Sequence, residues 1–137
     1  MSSDELRLLL ADDINEQRYQ KHIFETLCYL LGVRLDLGRP VTYIDATNLV
    51  REQRKPCLEI AKLRGCNLEA LFFDVSLEIC MRRNSGRTRR VPEDVMERMA
   101  AALEPPTHEE GFDLIIEIGA EGEEIRRSEH KKEGSPR

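Results

Sequence analysis

Apolar residues recur at helical spacing in five stretches of the chain and crowd into short runs in three others. Ser2 and Glu5 have the S-x-x-E capping spacing just ahead of Leu6, Leu8, Leu9 and Leu10, so a helix begins almost at the first residue. A second helix is predicted from about Glu16 to Asp36, with Phe24, Cys28, Leu31 and Leu35 as its inward stripe and Gly38 and Pro40 beyond its end. Residues 41–46, β-branched and aromatic after turn residues, read as a strand. A helical pattern then runs from Leu49 to Arg64 and closes at Gly65, with Pro56 either starting its regular part or kinking it. Residues 68–75 read as a strand, Leu77 to Arg83 as a short helix and 84–91 as a loop. Pro92 precedes a helix carrying Val95, Met99 and Leu103, and Asp113 to Ile118 is a third apolar strand. From Gly119 to Arg137 the residues are polar, and a disordered tail is expected.

Strands alternating with helices, and apolar enough to be covered twice, imply an α/β fold: a parallel sheet with helices on both faces. The expected organisation is one domain over residues 1–118 with a loop region at about 82–92, followed by the polar tail of 119–137. With 40% hydrophobic residues among 137, a core is affordable and global disorder is excluded. No run approaches the roughly 20 apolar residues of a membrane span, and the first residues have no signal-peptide pattern, so a cytoplasmic protein with no membrane partner is expected. Cys28, Cys57, Cys66 and Cys80 stand 29, 9 and 14 residues apart with no histidine at zinc-site spacing, and read as reduced, mostly buried thiols.

Three constellations can carry chemistry. In Tyr43-Ile44-Asp45-Ala46-Thr47-Asn48 an acid, a hydroxyl and an amide lie at the carboxyl end of a strand, the edge at which parallel sheets bind ligands. Asp45 could orient Mg²⁺ there; equally, Thr47 or Asn48 could cap the next helix. Second, five arginines (Arg82, Arg83, Arg87, Arg89 and Arg90) fall within nine residues without an acid. The net charge of −5 thus hides a loop of +5 and −10 on the other 128 residues. Guanidinium forks match phosphate oxygens, although the loop has no aromatic residue on which a base could stack. Third, Asp4 and Arg7 lie one turn apart, either as a base with a phosphate-binding partner or as a dipole-favoured surface ion pair.

In order, Ser2-Ser3-Asp4-x-x-Arg7, the segment Val41 to Asn48, Arg54-Lys55-Pro56, Phe72-Phe73-Asp74-Val75, Cys80-x-x-Arg83-Asn84, Arg90-Val91-Pro92 and the segment Glu104 to Phe112 resemble one family. It is the P-loop kinases of the polynucleotide 5′-hydroxyl kinase type, also described as zeta-toxin-like or AAA-family ATPases. The resemblance implies transfer of the γ-phosphate of ATP, with Mg²⁺, to a polynucleotide 5′-hydroxyl or a small polyol. It makes Asp4 the general base, gives Arg7 and Asn48 to the acceptor, and gives Arg83, Arg87 and Arg90 to the nucleoside triphosphate, with Arg87 foremost in catalysis. Asp45 would support the metal. Such residue types suit a loose transition state stabilised by charge and positioning.

The family's G-x-x-x-x-G-K-(S/T) loop, whose amides cradle the phosphates, is not found in these 137 residues, and no glycine is followed by lysine. The expectation is therefore a sheet lacking its central first strand, a kinase portion inactive and marginally stable by itself, and an association that completes the sheet. The other reading is a non-catalytic anion- or nucleic-acid-binding module that uses the arginine loop.

Overall fold

The computed structural model describes residues 1–131; the final six positions of the expected tail lie outside the described residues. The chain forms two compact units, Met1–Asn48 with Glu52–Cys66, and Leu49–Arg51 with Asn67–Arg137.

In the first unit, helix α1 spans Ser3–Ala11 and starts where the capping signal placed it. Ser2 is the N-cap, its Oγ accepting from the amides of Asp4 and Glu5 at 3.2 and 3.4 Å. Helix α2 spans Gln20–Asp36, four residues shorter at its start than expected, and α3 spans Arg51–Leu63 with Pro56 inside it. The core is a cluster of Leu6, Ile23 and Leu27, with Met1, Leu30, Ile44 and Cys57 packed on it. Of the predicted stripe Phe24, Cys28, Leu31 and Leu35, Leu31 is buried as expected, while Ile23 and Leu27, one position before Phe24 and Cys28, are the other large buried residues of α2. Both stripes are apolar, so the helix uses two faces. Ile23 and Leu27 join Leu6 in the core, while Phe24 lines a groove with Glu52, Gln53 and Pro56 of α3.

Residues 41–46, expected as a strand, do not form one. They make a parallel bridge between Ser2 and Asp45. Three backbone bonds hold it: Met1 N to Tyr43 O at 2.9 Å, Asp45 N to Met1 O at 2.8 Å, and Ser3 N to Asp45 O at 3.1 Å. A ladder can be only as long as its neighbour is extended, and α1 begins at Ser3.

The second unit carries β1 (Glu69–Phe73), α4 (Leu77–Ser85), α5 (Glu93–Ala102), a 3₁₀ turn at His108–Glu110, β2 (Leu114–Ile118) and β3 (Glu124–Glu129). Strand β1 pairs parallel with β2, from Glu69 opposite Leu114 to Phe73 opposite Ile118. Neighbouring Ile115 and Ile116 are both buried, so β2 is covered on both faces as a parallel strand should be. The fold is α/β, but the sheet is mixed, because β3 pairs antiparallel with β2.

Strand β3 corrects the expectation of a disordered tail over 119–137. Composition counts burial, and β3 is almost wholly exposed. What holds it is the open edge of β2, whose backbone groups it satisfies, together with side-chain ties. Arg126 pairs with Glu117, and Arg127 chelates Glu124 at 2.9 Å. His108 Nδ1 lies 2.8 Å from the Phe112 carbonyl, which can only accept, so that nitrogen donates and Nε2 accepts from Ser128 Oγ at 2.6 Å. Gly122, at φ 81°, makes the turn between the two strands. Among the described residues β1 is the other edge of the sheet, and its Phe73 is 65% exposed.

Replacing Leu27, which has no exposed surface, with Ala should lower the unfolding free energy by about 2–5 kcal/mol in urea melts, whereas Leu9→Ala at a residue 73% exposed should change it by under about 0.5 kcal/mol. Arg64 binds Asp36 through two hydrogen bonds, at 2.8 and 3.2 Å, and holds that carboxyl below its ordinary value of 3.8. A lowered folded-state value means a contribution present above 3.8 and lost as the pH falls through the lower folded value. Melting temperatures recorded from pH 5 downward should fall less steeply in Asp36→Asn than in the parent.

Candidate functional site

In the first unit, the cap at Ser2 and the bridge to Asp45 fix the start of α1, and Asp4 occupies its first turn, where the helix dipole favours a carboxylate. Arg7, one turn on, points back. Its Nη1 donates to Asp4 Oδ1 at 2.6 Å and its Nη2 to Gln20 Oε1, at the start of α2, at 2.7 Å. The arginine is only 6% exposed and its Nε has no hydrogen-bond partner among the described residues, while the Asp4 side chain keeps 43% of its surface. Asp4 and Arg7 are thus together, with the carboxylate accessible and the guanidinium enclosed. The expected surface ion pair is a half-buried one, and Gln20, which carries no sequence signal, completes it.

Asp45 contributes backbone to the bridge and leaves its side chain exposed. Asn48 does not cap α3. It sits at φ 46°, a left-handed turn that asparagine tolerates, with Nδ2 donating to the Ala46 carbonyl at 3.3 Å. The carbonyl of Asn48 accepts from Nη1 of Arg54, itself buried, at 2.7 Å. A buried guanidinium on α3 thereby shapes the turn that follows Asp45.

The arginine loop lies in the second unit, and Asn84 is what closes it. This side chain is buried, accepts from Val91 N at 2.9 Å and donates to the Val91 carbonyl at 2.7 Å, clasping the two ends of 84–91 as a strand neighbour would. The arginines divide by direction. Arg83 turns to the β2–β3 connection, donating to the Ala120 carbonyl and lying 3.6 Å from Glu121. Arg90 Nε donates to the Arg87 carbonyl at 3.2 Å inside the loop. Arg82 and Arg87 are exposed, and among the described residues their guanidiniums make no hydrogen bond or ion pair. Arg87 is thus open to an anion while Arg83 is occupied.

Magnesium takes near-octahedral oxygen ligands and keeps most of its waters, with one or two carboxylates and substrate phosphates. Asp45 fits as one such carboxylate, acting on the ion's waters. No group of three or more His, Cys, Asp or Glu able to hold a metal occurs among the described residues. The triphosphate fit is partial: guanidiniums to grip its oxygens are present, but an amide cradle with its lysine and hydroxyl is not supplied by these residues. No helix among the described residues is long and apolar enough to cross a membrane.

The α/β fold is consistent with a fragment of a kinase-like P-loop domain. The chain belongs to the AAA domain family, whose model matches residues 1–106. An L-seryl-tRNA(Sec) kinase of Methanococcus maripaludis is 23% identical over 99 residues, which are 72% of this chain. The match spans 38% of that kinase's length.

Replacing Asn84 with Ala removes both bonds across the loop, so hydrogen exchange at the Val91 amide should accelerate by about tenfold or more. Exchange at the Ile116 amide in β2 should stay near the parent rate.

Proposed function

We propose that this chain is part of a cytoplasmic, ATP-dependent kinase that transfers the γ-phosphate to a hydroxyl acceptor, and that it acts only when a phosphate-cradling segment is supplied to it. The observation that carries the reading is the accessible Asp4 carboxylate held in one orientation by buried Arg7 on a family kinase scaffold. A general base must be fixed within hydrogen-bond reach of the hydroxyl proton it takes, and this pair provides the fixing. In the proposed scheme Asp4 accepts the proton as the acceptor oxygen attacks phosphorus. Arg7 positions Asp4 and borders the acceptor, with Asn48 on the turn beyond Asp45. Asp45 would hold Mg²⁺ through its waters, and the ion would supply charge neutralisation to the phosphates. Arg87 stabilises the charge developing on the transferred group, and Arg83 and Arg90 grip the nucleotide after leaving their present carbonyl partners.

The absence of a G-x-x-x-x-G-K-(S/T) stretch from these 137 residues, and a match to 38% of the relative's length, support a working unit larger than this chain. Completion of the sheet along the open edge of β1 is the accompanying proposal. For the acceptor, a polynucleotide 5′-hydroxyl and a small polyol stand beside the seryl hydroxyl of an aminoacylated tRNA suggested by the relative's name.

A second reading draws on the exposed guanidiniums of Arg82 and Arg87, which have no partner among the described residues: an anion-binding module without turnover. It requires polyanion affinity that falls with salt at a slope of about −0.7 per phosphate contacted on single strands, with no transfer.

The deciding assay follows labelled phosphate from ATP to DNA, RNA, seryl-tRNA and polyol acceptors, using the chain joined to a segment carrying the phosphate-binding loop. Transfer should fall about 10²- to 10⁴-fold in Asp4→Asn and about 10²-fold or more in Arg87→Ala. Transfer indifferent to Asp4→Asn would remove Asp4 from the role of base. Salt-sensitive binding with no transfer to any acceptor would favour the second reading.

A further inference from the structure

Cys28 on α2 and Cys57 on α3 bring their sulfurs to 2.8 Å, a contact between residues 29 positions apart. Both thiols are reduced and half-buried, as are Cys66 and Cys80, so the expectation of mostly buried thiols does not hold. The other two are engaged elsewhere, Cys66 with the Arg64 carbonyl at 4.0 Å and Cys80 with that of Val75 at 3.8 Å. A second tie joins the same two segments. Asp36 of α2 meets Arg64, just past α3, eight residues beyond Cys28 and seven beyond Cys57. The two pairings advance together along the chain, so α2 and the segment of α3 to Arg64 are tied at two points that follow the same direction. Gly32, one turn after Cys28, lies under the Arg64 guanidinium, which a Cβ there would meet at 3.4 Å, an ordinary contact.

We propose that Cys28 and Cys57 are a disulfide-forming pair, oxidised by a small-molecule disulfide such as oxidised glutathione into a reversible bridge between α2 and α3. A disulfide needs sulfurs at about 2.05 Å, so closure takes under about 1 Å of side-chain movement. Burial first, and the hydrogen bond with Cys28 second, push the Cys57 thiol up. The exchange can begin at Cys28, and the reverse order gives the same bridge. Cys28 loses its proton and attacks one sulfur of glutathione disulfide, breaking that S–S bond and releasing one glutathione thiolate, which takes up a proton. Cys57 then loses its proton and attacks the Cys28 sulfur of the mixed disulfide, releasing the second glutathione. Two cysteine thiols are oxidised, one glutathione disulfide is reduced to two glutathiones, and protons balance. The bridge closes a ring over residues 29–56, which includes the Asp45 to Asn48 turn. Oxidation would therefore restrict the movement of that turn, independently of what the turn binds.

The test treats the whole 137-residue chain with oxidised glutathione, blocks remaining thiols with iodoacetamide, and maps tryptic peptides without reduction. The expected product is residues 22–34 linked to 55–62, reversed by dithiothreitol, with Cys66 and Cys80 alkylated. The oxidised chain should melt on the order of 10 °C higher. That shift should vanish in Cys28→Ser and in Cys57→Ser and persist in the Cys66→Ser/Cys80→Ser double variant. The peptide map needs only the parent chain, so it decides the matter even if a variant fails to fold. Glutathione adducts on Cys28 and Cys57 without the cross-link would overturn the proposal. So would a cross-link pattern identical in native buffer and in guanidinium chloride.

Discussion

An arginine only 6% exposed must find partners for its charge inside the protein, and the two Nη groups of Arg7 find them on two helices. Removing such a charge from water costs several kcal/mol unless hydrogen bonds and an opposite charge offset it. Asp4 and Gln20 supply these, and the result is a constraint in both directions. The helix start at Ser2 sets where Asp4 stands, and Arg7 sets which way its carboxylate faces. The three backbone bonds between residues 1–3 and 43–45 then bring the segment carrying Asp45 alongside the same helix start. The chemistry proposed for the first unit depends on this arrangement, because a proton acceptor that can rotate freely is a poor base.

The same device recurs with other residues. Arg54 is buried and its guanidinium closes on the carbonyl of Asn48; Asn84 is buried and its amide spans the arginine loop. In each case a polar side chain inside the fold shapes a turn whose outward groups are left exposed: Asp45 and Thr47 near the first, Arg82 and Arg87 at or beside the second. Buried polar groups satisfied in this way specify one backbone path, which is what a loop carrying recognition residues needs.

Periodicity and punctuation made much of this legible. The Ser2 cap, the helix stop near Gly38, the apolar runs of β1 and β2, and the helix after Pro92 all follow from local rules. Family resemblance picked out Asp4, Arg7 and Arg87. What local rules did not convey was partnership. The segment 41–46 has strand composition but only a three-residue neighbour. The polar stretch 124–129 has tail composition but an open strand edge beside it. On α2 two adjacent apolar stripes fit the same spacing, and only α1 and α3 decide which faces the core. Gln20 carries no signal, Arg54 and Asn84 stand out in the sequence only as members of family motifs, and the contact of Cys28 with Cys57 has no local signature.

The central claim is that Arg7 serves the Asp4 carboxylate by holding it. A double-substitution cycle on phosphate transfer by the completed protein tests this most directly, comparing Asp4→Asn, Arg7→Ala and the two combined. If Arg7 acts through Asp4, its removal slows the parent strongly and changes the Asp4→Asn protein by less than about 0.5 kcal/mol in transition-state free energy. Fully additive losses would show that Arg7 and Asp4 contribute independently, and would contradict the account.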